Sequence, residues 1–277
     1  MRPRPSGSVA GDSQWGAPPV PRGALARAIL RRECRAASLV TTIVLAVAGA
    51  ALGRVLADRG LIPNPAAANS IPLQGIASLG DFGLWMLARL LPLPVALMAG
   101  VATVDRLAGD SHAPWLLTLA AAGMERGFYL VAVVVAAATS HLAFYTALMA
   151  GYITGAATLS DEAGMLAFHF LRNWPGVAAL FVSTTLFGAA CFALTRRRGL
   201  ALALALAGVA GPVAVLGWIG VEGMQSASPT VVRLLTVLTP PPVWTASAAV
   251  LLRHGLYSTV LFVLLTRYAP RWVARNG

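Results

Sequence analysis

Long apolar runs separated by short polar segments dominate the chain from residue 37 onward. A transmembrane helix needs about 20 consecutive apolar residues to cross roughly 30 Å of hydrocarbon. Six runs approach or exceed that length, and each predicts one membrane-spanning helix. They cover residues 37–54, 83–104, 127–150, 175–195, 199–221 and 247–267. The expected fold class is therefore all-α: a polytopic membrane bundle of six transmembrane helices within residues 37–272.

The first 36 residues follow a different pattern. Residues 1–22 contain five prolines among Gly and Ser and show no apolar period, which predicts a disordered tail. Residues 23–36 predict an amphipathic helix, because at about 100° per residue Arg27, Arg31 and Arg35 fall on one face and apolar residues fall on the other. Such a helix suits the cytoplasmic interface, beside anionic lipid headgroups.

Two further apolar stretches are too short to cross the bilayer. Residues 222–246 are broken by prolines and predict a re-entrant or surface helix before the last span. Residues 113–124 predict a short cytoplasmic helix, with Trp115 as its anchor at the membrane interface. Charged residues flank this second stretch: Asp105, Arg106, Asp110, Glu125 and Arg126.

The composition excludes several classes of protein. Hydrophobic residues make up 57% of the chain and charged residues only 11%, whereas a soluble domain carries about 25% charged residues. All 21 basic residues are arginines, so the chain has no lysine for a Walker A loop and is not expected to hydrolyse ATP. Arginine in place of lysine, together with abundant alanine, is typical of GC-rich bacterial coding.

The arginines are distributed as membrane topology requires, and this explains the net charge of +11 without a nucleic-acid partner. With both termini in the cytoplasm, 15 arginines lie on the cytoplasmic side and six lie on the other side or in the outer halves of spans. We therefore expect a multi-pass protein of the bacterial cytoplasmic (inner) membrane, surrounded by lipid.

Catalytic motifs and metal-ligand spacings are absent from the sequence. Cys34 and Cys191 are expected to be free thiols. The ionisable residues within spans include His141 and Arg253, and intramembrane ionisable residues are candidates for a substrate path. His141 has two alternatives: a neutral imidazole bonded to a neighbouring helix, or, together with His254, a haem ligand.

The order of the segments is similar to that of a known family. The pair Arg32-Glu33 precedes the first span, a short segment links the second span to the third, and Pro240–Pro242 precede the last. The motif residues of the linking segment are, in order, Asp105, Gly109-Asp110, Trp115-Leu116-Leu117-Thr118-Leu119 and Arg126. This layout resembles the ABC-2 type permeases, the membrane subunits of ATP-binding-cassette exporters.

The resemblance implies a permease that works by alternating access, and the apolar spans with few charges suit a lipophilic or amphipathic substrate. It implies a separate ATPase subunit that binds ATP and Mg²⁺, a second permease copy or paralogue, and no cofactor in this chain. Residues 113–124 become the coupling helix in this interpretation. The implied docking residues are Glu33, Asp105, Asp110, Trp115, Leu116, Glu125 and Arg126. The alternatives are a non-transporting membrane anchor or assembly factor of a larger complex, and an intramembrane enzyme or haem protein.

Overall fold

A computed structural model describes residues 27–28, 31, 36–59, 92–110, 126–159, 163–222, 230 and 248–273. Throughout these residues the regular secondary structure is helical, which confirms the all-α class. The six long helices are α1 (Ala36–Asp58), α2 (Pro92–Asp110), α3 (Arg126–Ala157), α4 (Ala163–Thr195), α5 (Arg198–Glu222) and α6 (Ala248–Val273).

Three stretches within these helices are long and apolar enough to cross a membrane: Ser38–Asp58, Tyr129–Ala157 and Leu166–Thr195. A shorter apolar stretch, Arg198–Ala210, lies in α5. Large apolar side chains on the outside of α1 are exposed, Leu39 and Val47 each by 64%. Exposed apolar surface of this extent is expected of helices that face lipid, so the prediction of a helical membrane protein is confirmed.

Helix α4 lies at the centre of the bundle and contacts α2, α3, α5 and α6. Aromatic contacts from Tyr145 to Phe170 and Phe181 hold α3 beside it. The residue pairs in contact show that α4 runs antiparallel to α3 and to α5, whereas α1 runs parallel to α3, and α2 to α4. The chain therefore reverses direction from each long helix to the next.

Helix α1 is held to the bundle through α3, and glycine permits the close approach. Gly49 and Gly53 of α1 face Gly151 and Gly155 of α3, and a Cβ atom on any of the four would overlap a carbonyl oxygen of the other helix. Small residues spaced four apart let membrane helices pack backbone against backbone. The two Gly-x-x-x-Gly segments thus form a dry and tightly fitted seam.

A second close approach joins α2 to α4. A Cβ atom on Gly188 would lie 2.5 Å from the carbonyl oxygen of Gly100, and one on Gly100 would lie 2.9 Å from that of Thr184. The buried Thr103 hydroxyl donates to the carbonyl of Ala99, 2.8 Å away, and so needs no partner on another helix. The α2–α4 pair therefore packs backbone against backbone in the middle of the bundle.

Helices α4 and α5 are joined by only two residues, Arg196 and Arg197. Arg196 adopts a φ of 56°, and its N–H donates to the carbonyl of Phe192 at 2.8 Å. This is the αL cap that commonly ends a helix, here without the usual glycine. The tight turn exposes three consecutive arginines, Arg196 to Arg198.

Several boundaries differ from those that the sequence predicts. Helix α4 begins at Ala163, so Pro175 lies inside it rather than at its start. The polar residues Arg172 and Asn173 interrupt the apolar run, but the segment before them is also helical and buries Leu166 and Phe170. Helix α2 begins at Pro92 and continues to Asp110, beyond the predicted end at residue 104.

Other predictions lie outside the described residues. These are the tail at 1–22, the short helix at 113–124 and most of the stretch at 222–246. Within the predicted amphipathic helix at 23–36, Arg27, Ala28 and Arg31 are described as exposed helical residues. The amphipathic helix therefore stays a prediction, and so does the count of six spans.

Candidate functional site

Helix α2 ends at Asp110 and α3 begins at Arg126, and a buried hydrogen bond joins these two ends, which flank segment 111–125. The Tyr129 hydroxyl donates to the Asp110 carboxyl group. Asp110 is 4% exposed and Tyr129 is 2% exposed. A carboxyl group this far from solvent is stable only with hydrogen-bond donors around it, so the bond clamps the last turn of α2 to the first turn of α3.

One turn earlier, Asp105 of α2 forms an ion pair with Arg198, the first residue of α5. Their Oδ1 and Nε atoms lie 2.7 Å apart, and the side chains are 41% and 65% exposed. The hydrogen bond to Asp105, reinforced by its charge, raises the pKa of Arg198 above its ordinary value. The guanidinium group therefore stays charged at physiological pH, and the pair joins α2 to the exposed arginine turn.

The other predicted docking residues are not brought together by the described part of the chain. Glu33, Trp115, Leu116 and Glu125 lie outside the described residues. Arg126 is the first residue of α3. Asp110 lies inside the bundle rather than on an accessible surface, whereas Asp105 is accessible beside Arg198.

His141 lies midway along α3 and is half-buried. Its Nδ1 atom is 2.9 Å from the carbonyl oxygen of Ala137 and 3.3 Å from the Ser140 hydroxyl. The ring also meets Phe144 edge to face, with centroids 5.6 Å apart. These contacts lie on the same helix, so His141 is satisfied locally and adds no polar bridge between helices through them.

Helix α6 places an arginine next to a buried histidine, Arg253 and His254. Arg253 lies above the Tyr257 ring, with its Cζ atom 5.8 Å from the ring centroid. The next residue, His254, is 3% exposed, and its Nδ1 atom lies 3.0 Å from the Ser183 hydroxyl of α4. His254 is thus a polar link between α6 and the central helix.

Sequence reasoning singled out Arg253 and gave His254 only a secondary place beside His141. The described geometry instead pairs His254 with Ser183, a serine within the apolar run of α4. The signal available in the sequence was a polar residue in each of two spans, but it does not specify which helices touch.

A shallow apolar groove lies between α3, α4 and α6. Its lining contains one hydroxyl group, from Thr266, which is 3.0 Å from the carbonyl of Val263. The remaining lining residues are Leu130, Val131, Val134, Leu186, Phe262 and Leu265. The groove offers apolar surface and no charged group.

Within the described residues, no three His, Cys, Asp or Glu side chains cluster in a way that could hold a metal ion. Cys191 is a buried free thiol, as the sequence predicts. No family model matches the chain, and no curated protein matches it. Function must therefore be argued from the two ends of segment 111–125 and from the polar groups inside the helices.

Proposed function

We propose that this chain is the membrane-spanning permease subunit of an ABC-2 type exporter. It crosses the inner membrane six times with both termini in the cytoplasm, dimerises with a second permease copy or paralogue, and moves a lipophilic or amphipathic substrate. A separate ATPase subunit binds ATP and Mg²⁺ and docks on the cytoplasmic segment between Asp105 and Arg126.

The observation that carries the proposal is the anchoring of that segment at both ends. Asp110 and Tyr129 clamp α2 to α3, and Asp105 and Arg198 join α2 to α5. A force applied to residues 111–125 is therefore transmitted to three helices at once. A coupling element needs this property, because a loop tethered by its backbone alone would absorb the movement of a partner.

The alternation of helix direction supports the topology. Six consecutive passes require each helix to run opposite to the one before it, and the described helices do so. The arginine turn then lies at the same end of the bundle as the coupling segment. An excess of arginine at that end favours the cytoplasm under the positive-inside rule.

The mechanism follows from the unequal packing of the helices. Helices α2 and α4 pack backbone against backbone at Gly100 and Gly188, and in this mechanism they move together. When the ATPase dimer closes, it pushes the coupling segments of the two permeases toward each other. The clamps carry that displacement into α2 and α3, and the bundle alternates between inward-facing and outward-facing states.

Docking is tested by the double substitution Trp115→Asp and Leu116→Asp. An apolar helix of 12 residues must bury its apolar face, at about 25 cal/mol per Å², and charge on that face opposes its burial in a partner. We expect the ATPase subunit to be lost on affinity purification while the permease is inserted normally. Leu159→Asp, at the opposite end of α3, is the matched control and should retain the partner. Full retention after the double substitution refutes docking at this segment.

Topology is tested by single cysteines in a chain whose Cys34 and Cys191 have been replaced by alanine. An impermeant maleimide added outside should label Asp161→Cys and should not label Arg197→Cys. Labelling of both positions from the same side contradicts the six-span arrangement.

A further inference from the structure

The contact between α4 and α6 holds a polar atom in the apolar interior. His254 is 3% exposed, and its Nδ1 atom is 3.0 Å from the Ser183 hydroxyl. Its other nitrogen, Nε2, is fully buried, and nothing in the described part of the chain hydrogen-bonds to it. Buried polar atoms are nearly always satisfied, and an ionisable side chain inside a membrane helix is a candidate for function, so the unsatisfied nitrogen of this histidine marks a candidate binding group.

The hydrogen bonds of Ser183 determine which nitrogen carries the proton. The Ser183 hydroxyl lies 2.9 Å from the carbonyl of Leu180, the backbone acceptor that helical serines commonly use. Because a hydroxyl has one proton, a serine that donates to Leu180 can only accept from His254. The proton of the neutral imidazole then lies on Nδ1, and Nε2 is a bare acceptor.

The surroundings of Nε2 restrict what it can bind. The guanidinium group of Arg253, the preceding residue, acts electrostatically on the imidazole and disfavours a metal ion or an ammonium group beside it by repulsion. The same helix exposes Leu252 and Leu256 by 73% and 67%, so it presents an apolar surface on either side of the histidine position. A fitting ligand is therefore apolar over most of its length and carries a neutral hydrogen-bond donor.

We propose that His254 Nε2 accepts a hydrogen bond from a neutral hydroxyl or amide N–H of an amphipathic cargo that enters between α4 and α6. This inference rests on the proposed transport function and names the chemical class of its substrate. Ser183 is the positioning residue, since it fixes the imidazole orientation and tautomer without touching the cargo. The α4–α6 seam separates to admit the cargo, while α4 stays with α2.

The first measurement is nitrogen NMR of the full-length chain in lipid nanodiscs, with ¹⁵N-labelled histidine. His254 is assigned by its absence from the spectrum of His254→Gln. We expect an attached proton on Nδ1 and none on Nε2. Ser183→Ala removes the acceptor for Nδ1–H and should yield a mixture of tautomers. A wild-type spectrum with the proton on Nε2 overturns the proposal.

The second measurement titrates the unmodified chain with 1-dodecanol and with methyl dodecyl ether, which has a similar apolar tail but no donor. We expect dodecanol to shift the Nε2 resonance saturably, with half-saturation on the order of tenfold lower than for the ether, the equivalent of one hydrogen bond. Equal shifts from both compounds, or no shift from either, refute the site. The titration itself uses the wild-type protein, and a variant is needed only to assign the His254 resonance.

Failure of this inference is distinguishable from failure of the transport proposal. Co-purification of a nucleotide-binding subunit with no dodecanol-specific shift refutes the site and leaves the permease assignment standing. A dodecanol-specific shift in a chain that binds no such subunit supports the site but overturns its assignment to transported cargo.

Discussion

The α1–α3 seam is packed through glycines, whereas the α4–α6 seam contains a contact between polar side chains. Four glycines bring α1 and α3 into backbone contact, with no room for another atom. Helices α4 and α6 meet through Ser183 and His254, with one buried nitrogen left unsatisfied. The first seam loses all its packing when it opens, whereas the second gains a partner for His254. The bundle therefore has one interface suited to stay closed and one suited to open.

The largest effect is expected from crowding the glycine seam. Gly151→Ala places a methyl group on the carbonyl oxygen of Ala46, so backbone must move. We expect a loss of roughly 3 kcal/mol, at the upper end of the usual cost of overpacking, measured as a lower midpoint of thermal unfolding. Gly255→Ala is the control: it meets open space on α6 and should change stability by no more than about 1 kcal/mol, in the favourable direction. Equal effects at both positions would contradict the seam.

The second largest effect is expected from breaking the hydrogen bond between Asp110 and Tyr129, which joins the two ends of segment 111–125. Tyr129→Phe leaves the buried Asp110 carboxyl group without one of its donors, and we expect a cost of about 1–3 kcal/mol in thermal unfolding. Tyr145→Phe is the matched control, because the buried Tyr145 hydroxyl has no hydrogen-bond partner within the described residues. Removal of the Tyr145 hydroxyl should leave the free energy of unfolding unchanged. Equal unfolding midpoints for Tyr129→Phe and Tyr145→Phe would show that the hydrogen bond between Asp110 and Tyr129 does not stabilise the fold.

Substitution of His254 at the α4–α6 seam should raise stability, whereas the two substitutions above should lower it. His254→Leu removes an unsatisfied buried nitrogen, and Ser183 keeps its bond to Leu180. We expect a gain of about 1 kcal/mol in stability together with a loss of substrate-stimulated ATPase activity in the complex. His141→Leu, whose imidazole is bonded to Ala137, should bring no such gain in stability. Strong destabilisation by His254→Leu would show that the residue serves the fold alone.

The smallest effect is expected at the exposed ion pair. Asp105→Asn should change the unfolding midpoint too little to resolve, because solvent and salt screen exposed charges. The pair raises the pKa of Arg198, so its contribution is present below the ordinary pKa of arginine and is lost only as pH rises through the raised value. Stability measured across the physiological range should therefore show no step from Arg198.

The sequence predicts the elements of this fold better than their contacts. Apolar run length is enough to identify the three helical stretches that could cross a membrane, since hydrocarbon thickness sets that length. It places the start of α4 at Pro175, because Arg172 and Asn173 interrupt the apolar run although the helix itself begins at Ala163. The glycines at 49, 53, 151 and 155 are visible in the sequence, but their pairing depends on which helices are neighbours.

The candidate site shows the same limit. Asp105 and Asp110 are predicted together as docking residues, yet one lies on the surface and the other is buried against Tyr129. The difference arises from helix rotation, which places residues five positions apart on different faces. His254 acquires its significance from Ser183, more than 70 residues away in sequence, and no local pattern connects the two.

The central claim is that this chain is a permease driven by a separate ATPase. The most direct measurement is ATP hydrolysis by the chain purified from its native membrane, before and after the partner subunits are stripped away. We expect a co-purifying subunit with a Walker A loop, hydrolysis while that subunit is bound, and none by the lysine-free chain alone. Robust hydrolysis by the isolated chain, or no nucleotide-binding subunit at any stage, would contradict the account.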